Sequence, residues 1–192
     1  VCALIQKGKG ERFENIPIGY EKWLLDLVGM ATLSDMVPLR GENRLLAYYG
    51  LIVLKKTRRP GLIALAKTNN LVMRHIVEDD VVFIFSPRIN VASRLADAKI
   101  AFDLLTATEF DETMRLAKEL NSINQKRKTM VAQISKQAHA TVKARELFKK
   151  PIMTIGNPDW RPPVLGLVAT QMVKAYSRPT FVWGRTAEGE YK

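Results

Sequence analysis

The feature that most constrains the fold of this chain is the long run from Thr108 to Lys150, which contains neither glycine nor proline. The run opens on Thr108-Glu109-Phe110-Asp111, which resembles a helix-capping box. Apolar residues then recur every three or four positions, the period of an α-helix, and Arg127 fills the one gap in the repeat. The sequence therefore predicts one long helix. Its apolar positions are Leu116, Leu120, Ile123, Met130 and Ile134.

The same run carries most of the net positive charge of the chain. Between Met114 and Lys150 there are ten Lys or Arg residues and two Glu, whereas all 192 residues include 30 Lys or Arg and 19 Asp or Glu. So basic a chain attracts polyanions, nucleic acid before anionic membranes. A charge run can also be a solvated helix face. We predict a helix that faces a polyanion and binds nucleic acid through Lys126 and Arg127.

The residues after Pro151 alternate between strand and helix patterns. Residues 152–155 and 179–183 are strand-like, and residues 164–176 are helical. A strand, helix and strand of this size favour parallel pairing with a right-handed crossover. Residues 184–189 form a predicted turn whose returning strand we expect to be missing. Because the chain also starts on Val1, we expect a fragment at both ends.

The residues before the long run predict mainly short helices. Helical periodicity begins near Glu21 and returns three more times before a strand-like apolar run at Val81–Phe85. A further helical pattern follows from Val91 to Leu105. The additional predicted helices cover residues 45–54, 62–67 and 71–77.

Several classes of protein are excluded by composition. The single cysteine, Cys2, rules out an internal disulfide framework and a cysteine-based zinc site, and favours a reducing cytosol. No apolar run reaches the roughly 18 residues of a membrane span. His75 and His139 are far apart and lack the spacing of a metal site.

A few polar residues are candidates for chemistry. Asp35 follows a predicted helix and precedes Pro38, so it could face a metal, although a turn or capping role is the more common one. Arg88, Asn90 and Arg94 lie where the strand-like run passes into a helix. A helix N-terminus beside guanidinium groups binds anions, and arginine donates two hydrogen bonds at once to a phosphate. An ion pair with Asp97 or Asp103 is the alternative.

Five segments in order resemble the DHH phosphoesterase superfamily, and within it the exonucleases specific for single-stranded DNA. The segment PRIN at residues 87–90, with SRL at 93–95, is similar to the Pro-Arg-Ile-Asn-Ala-Ala-Gly-Arg motif of that family. DW at 159–160 and VLGLVA at 164–169 are similar to the opening of its DHH-associated domain. The other similar segments are LLDLVGMATLSDMVPL at 24–39, GENR at 41–44 and TRRPGL at 57–62.

The resemblance implies an α/β fold in three parts. These are the C-terminal part of a DHH catalytic domain over residues 1–107, a long basic connecting helix over 108–150, and the start of a DHH-associated α/β domain over 151–192. It also implies a 5′-to-3′ exonuclease of DNA repair and recombination that hydrolyses single-stranded DNA with two Mn²⁺ or Mg²⁺ ions. Asp35 would be a catalytic metal ligand. Arg88 and Arg94 would belong to the neighbourhood that holds the terminal phosphate, with either of them as the contact, and Asn90 would be a further phosphate- or nucleic-acid-binding residue.

The resemblance further implies a cytoplasmic monomer without membrane contact, working with single-strand-binding protein or a helicase. Some family features are absent from this sequence. The Asp-x-Asp and Asp-His-His motifs are not found, and a lone carboxylate cannot hold two cations, so we expect this chain alone to be inactive. Ser93 replaces a glycine, and Arg161 and Pro163 stand where the family has His and Gly.

Two other functions remain open at this point. One is a DHH phosphodiesterase that acts on short oligonucleotides or cyclic dinucleotides. Such phosphodiesterases lack a long basic connector. The other is a non-catalytic nucleic-acid-binding module, in which the basic helix is the functional part and Asp35 is a turn residue. Divalent-dependent cleavage would separate the nucleases from the module.

Overall fold

The computed structural model describes residues 16–17 and 19–192. The sequence also predicts a short apolar segment over residues 2–6 and a polar loop over residues 7–15, and both lie outside the described residues. The described chain divides into an N-terminal unit, which ends at Asn90 and resumes over Lys99–Leu120, and a C-terminal unit made of Val91–Ala98 and Asn121–Lys192.

The N-terminal unit is helical. A 3₁₀ turn at Tyr20–Leu24 leads into the first α-helix, and another at Met73–His75 replaces the helix predicted over residues 71–77. The α-helices are α1 (Leu25–Ser34), α2 (Glu42–Leu54), α3 (Pro60–Lys67), α4 (Ser86–Leu95) and α5 (Ala98–Thr106), followed by α6 (Phe110–Ala144).

Helices α4 and α6 each contribute to both units. The N-terminal unit contains α4 up to Asn90 and α6 up to Leu120, and the C-terminal unit contains the remainder of each. The single long helix predicted from the glycine-free run is confirmed over Phe110–Ala144, where α6 is uninterrupted, but it ends before the 3₁₀ turn at Leu147–Lys149 instead of continuing to Lys150.

The strand predicted at Val81–Phe85 is wrong. These residues form a π-helical segment that continues from a helical turn at Glu78–Asp80 and passes directly into α4. Val81 and Phe85, four residues apart, are fully buried, whereas Phe83 between them is 68% exposed. This is the burial period of a helix, which a short apolar run cannot reveal because nearly every residue in it is apolar.

Helices α1 and α2 touch backbone to backbone. A Cβ atom on Gly29 would lie 2.6 Å from the Cα atom of Gly50, and a Cβ on Gly50 would lie 2.7 Å from the carbonyl oxygen of Leu25. A similar approach brings Gly61 of α3 against the carbonyl of Leu104 in α5. Around these contacts lie fully buried side chains: Leu54, Leu62, Leu65, Ile76, Val81, Phe85 and Leu104.

The C-terminal unit contains the predicted strand–helix–strand arrangement. Strand β1 (Met153–Gly156) pairs in parallel with β2 (Thr180–Trp183), with Met153 opposite Thr180, and α7 (Leu165–Tyr176) connects them. The parallel pairing predicted from the sequence is therefore confirmed. Short 3₁₀ turns lie at Leu147–Lys149 and Pro162–Val164.

The core of the C-terminal unit lies between α6, α7 and β1. Trp160 is buried there and its indole N–H donates a hydrogen bond of 2.7 Å to Gln137 Oε1 on α6. The buried apolar residues of this core are Val131, Ile134, Ala138, Val142, Leu147, Met153, Ile155, Val164, Leu165, Val168 and Met172.

The expectation that the turn at residues 184–189 lacks a returning segment is wrong, because the chain after the turn pairs with the residues before it. Arg185 and Tyr191 form an antiparallel bridge, and the backbones of Gly184 and Lys192 exchange hydrogen bonds of 2.9 and 3.0 Å. The turn therefore closes on the last two residues of the chain. In the described part of the chain, no helix is both long and apolar enough to span a membrane.

The helix crossing gives a stability prediction. Replacing Gly50 by Ala should lower the free energy of unfolding by about 2 kcal/mol, because the added methyl group overlaps the α1 backbone and this outweighs the helix propensity of alanine. Urea unfolding followed by circular dichroism measures the change.

Gly166 of α7 is the matched control. A Cβ there meets nothing within 4 Å, so Gly166→Ala should leave stability unchanged or raise it by up to about 1 kcal/mol. Equal effects of the two substitutions would contradict the backbone contact.

Candidate nucleic-acid interface

Asp35 follows the last residue of α1, with an exposed side chain. Its backbone N–H donates to the carbonyl of Ala31, which closes the final helical turn. The preceding residue, Ser34, forms a side-chain hydrogen bond with Ser86, the first residue of α4. The end of α1 therefore meets the start of the helix that carries Arg88 and Asn90, and these three predicted site residues lie in one region of the N-terminal unit.

Arg88 and Asn90 occupy the first part of α4. The Arg88 side chain is half-buried and its Nη1 donates a 2.7 Å hydrogen bond to the carbonyl of Ile84, while Asn90 is exposed. The predicted helix N-terminus at this place is wrong, because α4 continues an existing helix. The N–H of Ser86 already bonds to the carbonyl of Val81, so any anion here would depend on side chains and not on free backbone donors.

The described residues do not make up a two-metal site. No group of three or more His, Cys, Asp or Glu residues placed to hold a metal ion is found among them. Asp35 is a single exposed carboxylate, whereas hard divalent cations need several oxygen ligands. The residues described here therefore do not fit the implied pair of ions on their own.

Arg94 borders a cavity of about 840 Å³ in the C-terminal unit. Four cationic side chains line it, Arg94, Arg161, Arg185 and Lys192, against two carboxylates. One of these, Glu188, has its pKa lowered by hydrogen bonds from its own backbone N–H and the Thr186 hydroxyl, and by the charge of Lys192. The other is Asp159, and the cavity therefore has an excess of positive charge.

Arg127 on α6 lies within electrostatic reach of Arg94. Burial of the guanidinium and the positive charge of Arg94 lower the pKa of Arg127. Its Nε donates a 3.1 Å hydrogen bond to the neutral side chain of Asn124. Among the residues the structure describes, no carboxylate forms an ion pair with either arginine. In the described part of the unit, these two like charges therefore influence each other and neither is neutralised by an ion pair.

Lys126 is next to Arg127 in sequence but borders a different surface. It is exposed along an open face of α6 with Gln125, Thr129 and Gln133, whereas Arg127 lies against Leu167 and Gln171 of α7. Arg127 is therefore within electrostatic reach of Arg94, whereas Lys126 lies on a separate face of α6. Between residues 121 and 144, α6 carries five cations and no carboxylate.

Three cations of the Arg94 cavity were not identified from the sequence. Arg185 and Lys192 reach it through the closing turn, a contact that local patterns do not indicate. Arg161 did carry a signal, because it stands where the resembling family has histidine. That substitution adds a positive charge to the cavity.

The TRRPG segment holds a buried carboxylate in the N-terminal unit. Asp26 is 2% exposed, and its Oδ2 accepts hydrogen bonds of 2.8 Å from the Thr57 hydroxyl and 2.9 Å from Arg59 Nε. Its Oδ1 accepts 2.7 Å from the backbone N–H of Leu27. The carboxylate is fully partnered, which is the condition for burying a charge.

Comparison with known proteins places this arrangement in context. No known family profile matches the chain. It is 37% identical over 173 residues to the single-stranded-DNA-specific exonuclease RecJ of Haemophilus influenzae, covering 88% of this chain and 30% of that protein. The RecJ of Bacillus subtilis is 35% identical over 161 residues, 84% of this chain and 20% of that protein.

Solved structures agree with the sequence matches. The structure of RecJ from Thermus thermophilus in complex with Mn²⁺ superimposes with a TM-score of 0.74 and 28% identity, over 89% of this chain and 25% of that one. The chain is a relative of RecJ. A structure of exonuclease RecJ bound to manganese matches with a TM-score of 0.72 and covers 43% of that chain.

The match to RecJ confirms the α/β fold and the DHH-superfamily resemblance. The chain spans less than a third of the length of these two curated RecJ relatives. RecJ from Thermus thermophilus has also been solved with Mg²⁺, so both of the ions expected from the resemblance are found with RecJ structures.

The buried carboxylate generates a prediction. Replacing Asp26 by Asn removes the charge that Arg59 and Thr57 bind, so we expect the free energy of unfolding to fall by about 2 kcal/mol. Urea denaturation followed by circular dichroism would measure it.

Asp103, in the same unit, is the control because it forms an exposed ion pair with Lys99 at 2.7 Å. Asp103→Asn should change stability by no more than about 0.5 kcal/mol. A loss at Asp26 as small as this would show that its hydrogen bonds do not organise the unit.

Proposed function

We propose that this chain supplies part of the strand-binding surface of a RecJ-type exonuclease that hydrolyses single-stranded DNA from its 5′ end. The observation that carries the proposal is the cluster of cations around the Arg94 cavity of the C-terminal unit, with Arg127 within electrostatic reach of Arg94 and no ion-pair partner for either arginine among the described residues. Like charges placed in this way repel each other, and a bound phosphate would relieve that repulsion.

The surrounding charges support the same proposal. Arg161, Arg185 and Lys192 join Arg94 around one cavity, and the adjoining part of α6 has cations only. Phosphate contacts of this kind hold a backbone without reading its sequence. We therefore expect binding that is indifferent to base sequence and weakens steeply with salt.

The N-terminal unit would contribute to the reaction itself. We propose that Asp35 is one metal ligand of the intact enzyme and that Arg88 and Asn90, on the helix that meets the end of α1, bind near the 5′-terminal phosphate. The described residues do not fit two metal ions, so hydrolysis by this chain alone is not expected. Its own contribution would be to bind and position the strand, through Lys126 as well as the residues named above.

The domain limits and the cellular setting are part of the proposal. Residues 1–107 would belong to the DHH catalytic domain, 108–150 to the connecting helix and 151–192 to the DHH-associated domain. The intact enzyme would work as a cytoplasmic monomer in DNA repair and recombination, with single-strand-binding protein or a helicase beside it.

The strand-binding part of the proposal is tested with this chain. Replacing Arg94 or Arg127 by Gln should weaken binding of an oligo-dT of about 15 nucleotides several-fold. It should also reduce the slope of log affinity against log salt by about 0.7 for each phosphate that is no longer neutralised. Fluorescence anisotropy with a 3′-labelled strand at several salt concentrations measures both.

Arg178→Gln is the matched control, because Arg178 is exposed in the same unit and donates to the carbonyl of Ser177. It should leave affinity and salt slope nearly unchanged. If all three variants bind alike, the Arg94–Arg127 surface is not where the strand lies.

The metal-ligand role of Asp35 is tested in a full-length RecJ-type protein that contains this sequence. Asp35→Asn should reduce Mn²⁺-dependent release of nucleotides by about 100-fold or more, because a ligand carboxylate is lost, while strand binding is retained. Quantifying nucleotides released from a 5′-phosphorylated strand measures the effect. Asp79→Asn, an exposed carboxylate in the same unit, should cleave normally, and normal cleavage by Asp35→Asn would refute the assignment.

A further inference from the structure

A second cavity, of about 570 Å³, opens in the N-terminal unit beside the Asp26 cluster. Tyr20 and Trp23 of the 3₁₀ turn form one side of it, and Thr57, Arg58 and Arg59 form the other. Its volume is within the range of about 300–1,000 Å³ that is usual for small-ligand sites. Its walls combine aromatic rings with guanidinium groups.

The aromatic side of this cavity is only partly covered by protein. Tyr20 and Trp23 are each 42% exposed. The guanidinium carbon of Arg58 lies 5.2 Å from the centre of the Trp23 ring, a cation–π contact that holds the exposed Arg58 side chain against the ring. Trp23 therefore offers accessible ring surface with a positive charge beside it.

The two arginines in this cavity differ in their charge balance. Arg59 is neutralised by the buried carboxylate of Asp26, whose oxygens are all engaged. Within residues 16–17 and 19–192, no carboxylate forms an ion pair with Arg58. The cavity thus has one uncompensated positive charge, that of Arg58. Its acidic residue, Asp26, is already bound to Arg59 and Thr57.

We propose that this cavity binds one nucleotide of a single strand, with the base stacked on Trp23 and the adjacent phosphate held by Arg58. Every base has a flat face that stacks on an indole ring, and arginine binds phosphate beside it, which is how sequence-independent strand binding is achieved elsewhere. The proposal rests on the proposed function, because it assigns a further contact to the same class of ligand.

The test compares two strands of equal charge. One is oligo-dT, and the other is the same backbone with abasic sites, both about 10 nucleotides long. The unsubstituted chain should prefer oligo-dT. Trp23→Ala should weaken oligo-dT binding by about 10-fold and leave the abasic strand unchanged, so that the preference disappears, whereas Trp23→Phe should keep most of it.

Arg58 is tested in parallel. Arg58→Gln should weaken binding of both strands to the same extent and lower the salt slope by about 0.7, as expected for a phosphate contact. Because Arg58 is exposed, this substitution keeps the proposal testable even if Trp23→Ala unfolds. Thermal unfolding of each variant identifies any loss of structure.

Phe83→Ala and Lys56→Gln are the matched controls, an aromatic residue that is 68% exposed and an exposed lysine, neither of which lines the cavity. Neither should alter strand preference. If Trp23→Ala and Arg58→Gln behave like these controls while Arg94→Gln weakens binding, the cavity assignment is wrong and the proposed function stands. If the unsubstituted chain binds neither strand, both proposals fall.

Discussion

The buried carboxylate of Asp26 is the interaction on which the organisation of the N-terminal unit depends. A charge removed from water must be fully hydrogen-bonded, and Asp26 meets this requirement only if Thr57 and Arg59 come to the start of α1. The position of the segment between α2 and α3 is therefore set by a polar requirement as well as by apolar burial. The same requirement places Arg58 beside Trp23 and gives the neighbouring cavity its cationic wall.

In the C-terminal unit, by contrast, several positive charges have no ion-pair partner among the described residues. Arg94 lowers the pKa of Arg127 through its positive charge, four cations surround the Arg94 cavity, and the part of α6 after Leu120 carries cations only. A fold selected for stability alone would place a carboxylate between such groups, since like charges oppose the compact state. Local arrangements that cost stability concentrate at functional sites, so this imbalance favours a polyanion as the missing partner.

The parts of the fold that could be predicted from sequence are those governed by local periodicity. The long helix α6 follows from a glycine-free run with helical spacing, and the parallel pairing of β1 with β2 follows from the length of the connection. The segment at Val81–Phe85 could not be assigned in this way, because an unbroken apolar run fits a strand and a buried helix equally well. Which of the two structures these residues adopt depends on their contacts with distant segments of the chain.

The candidate site residues also divide into those with a local sequence signal and those that depend on contacts between distant segments. Asp35, Arg88 and Arg94 were found from their positions near predicted helix ends and from segments that resemble a family, and Arg161 was marked only as a departure from that family's pattern. Arg185 and Lys192 gave no local signal, because they reach the cavity through the turn that closes on the chain's last residues. The contact between Trp23 and Arg58 is equally invisible in the sequence, since it depends on the Asp26 hydrogen bonds between two separate helical segments.

The glycine contact between α1 and α2 has a mechanical consequence. Where main chains touch with no side chains between them, there are no rotamers to rearrange and no soft layer to absorb strain. The two helices are therefore expected to move as one rigid body. The position of the Asp35 carboxylate, at the end of α1, would then be fixed by the backbone. Any displacement of α2 would move Asp35 by the same amount.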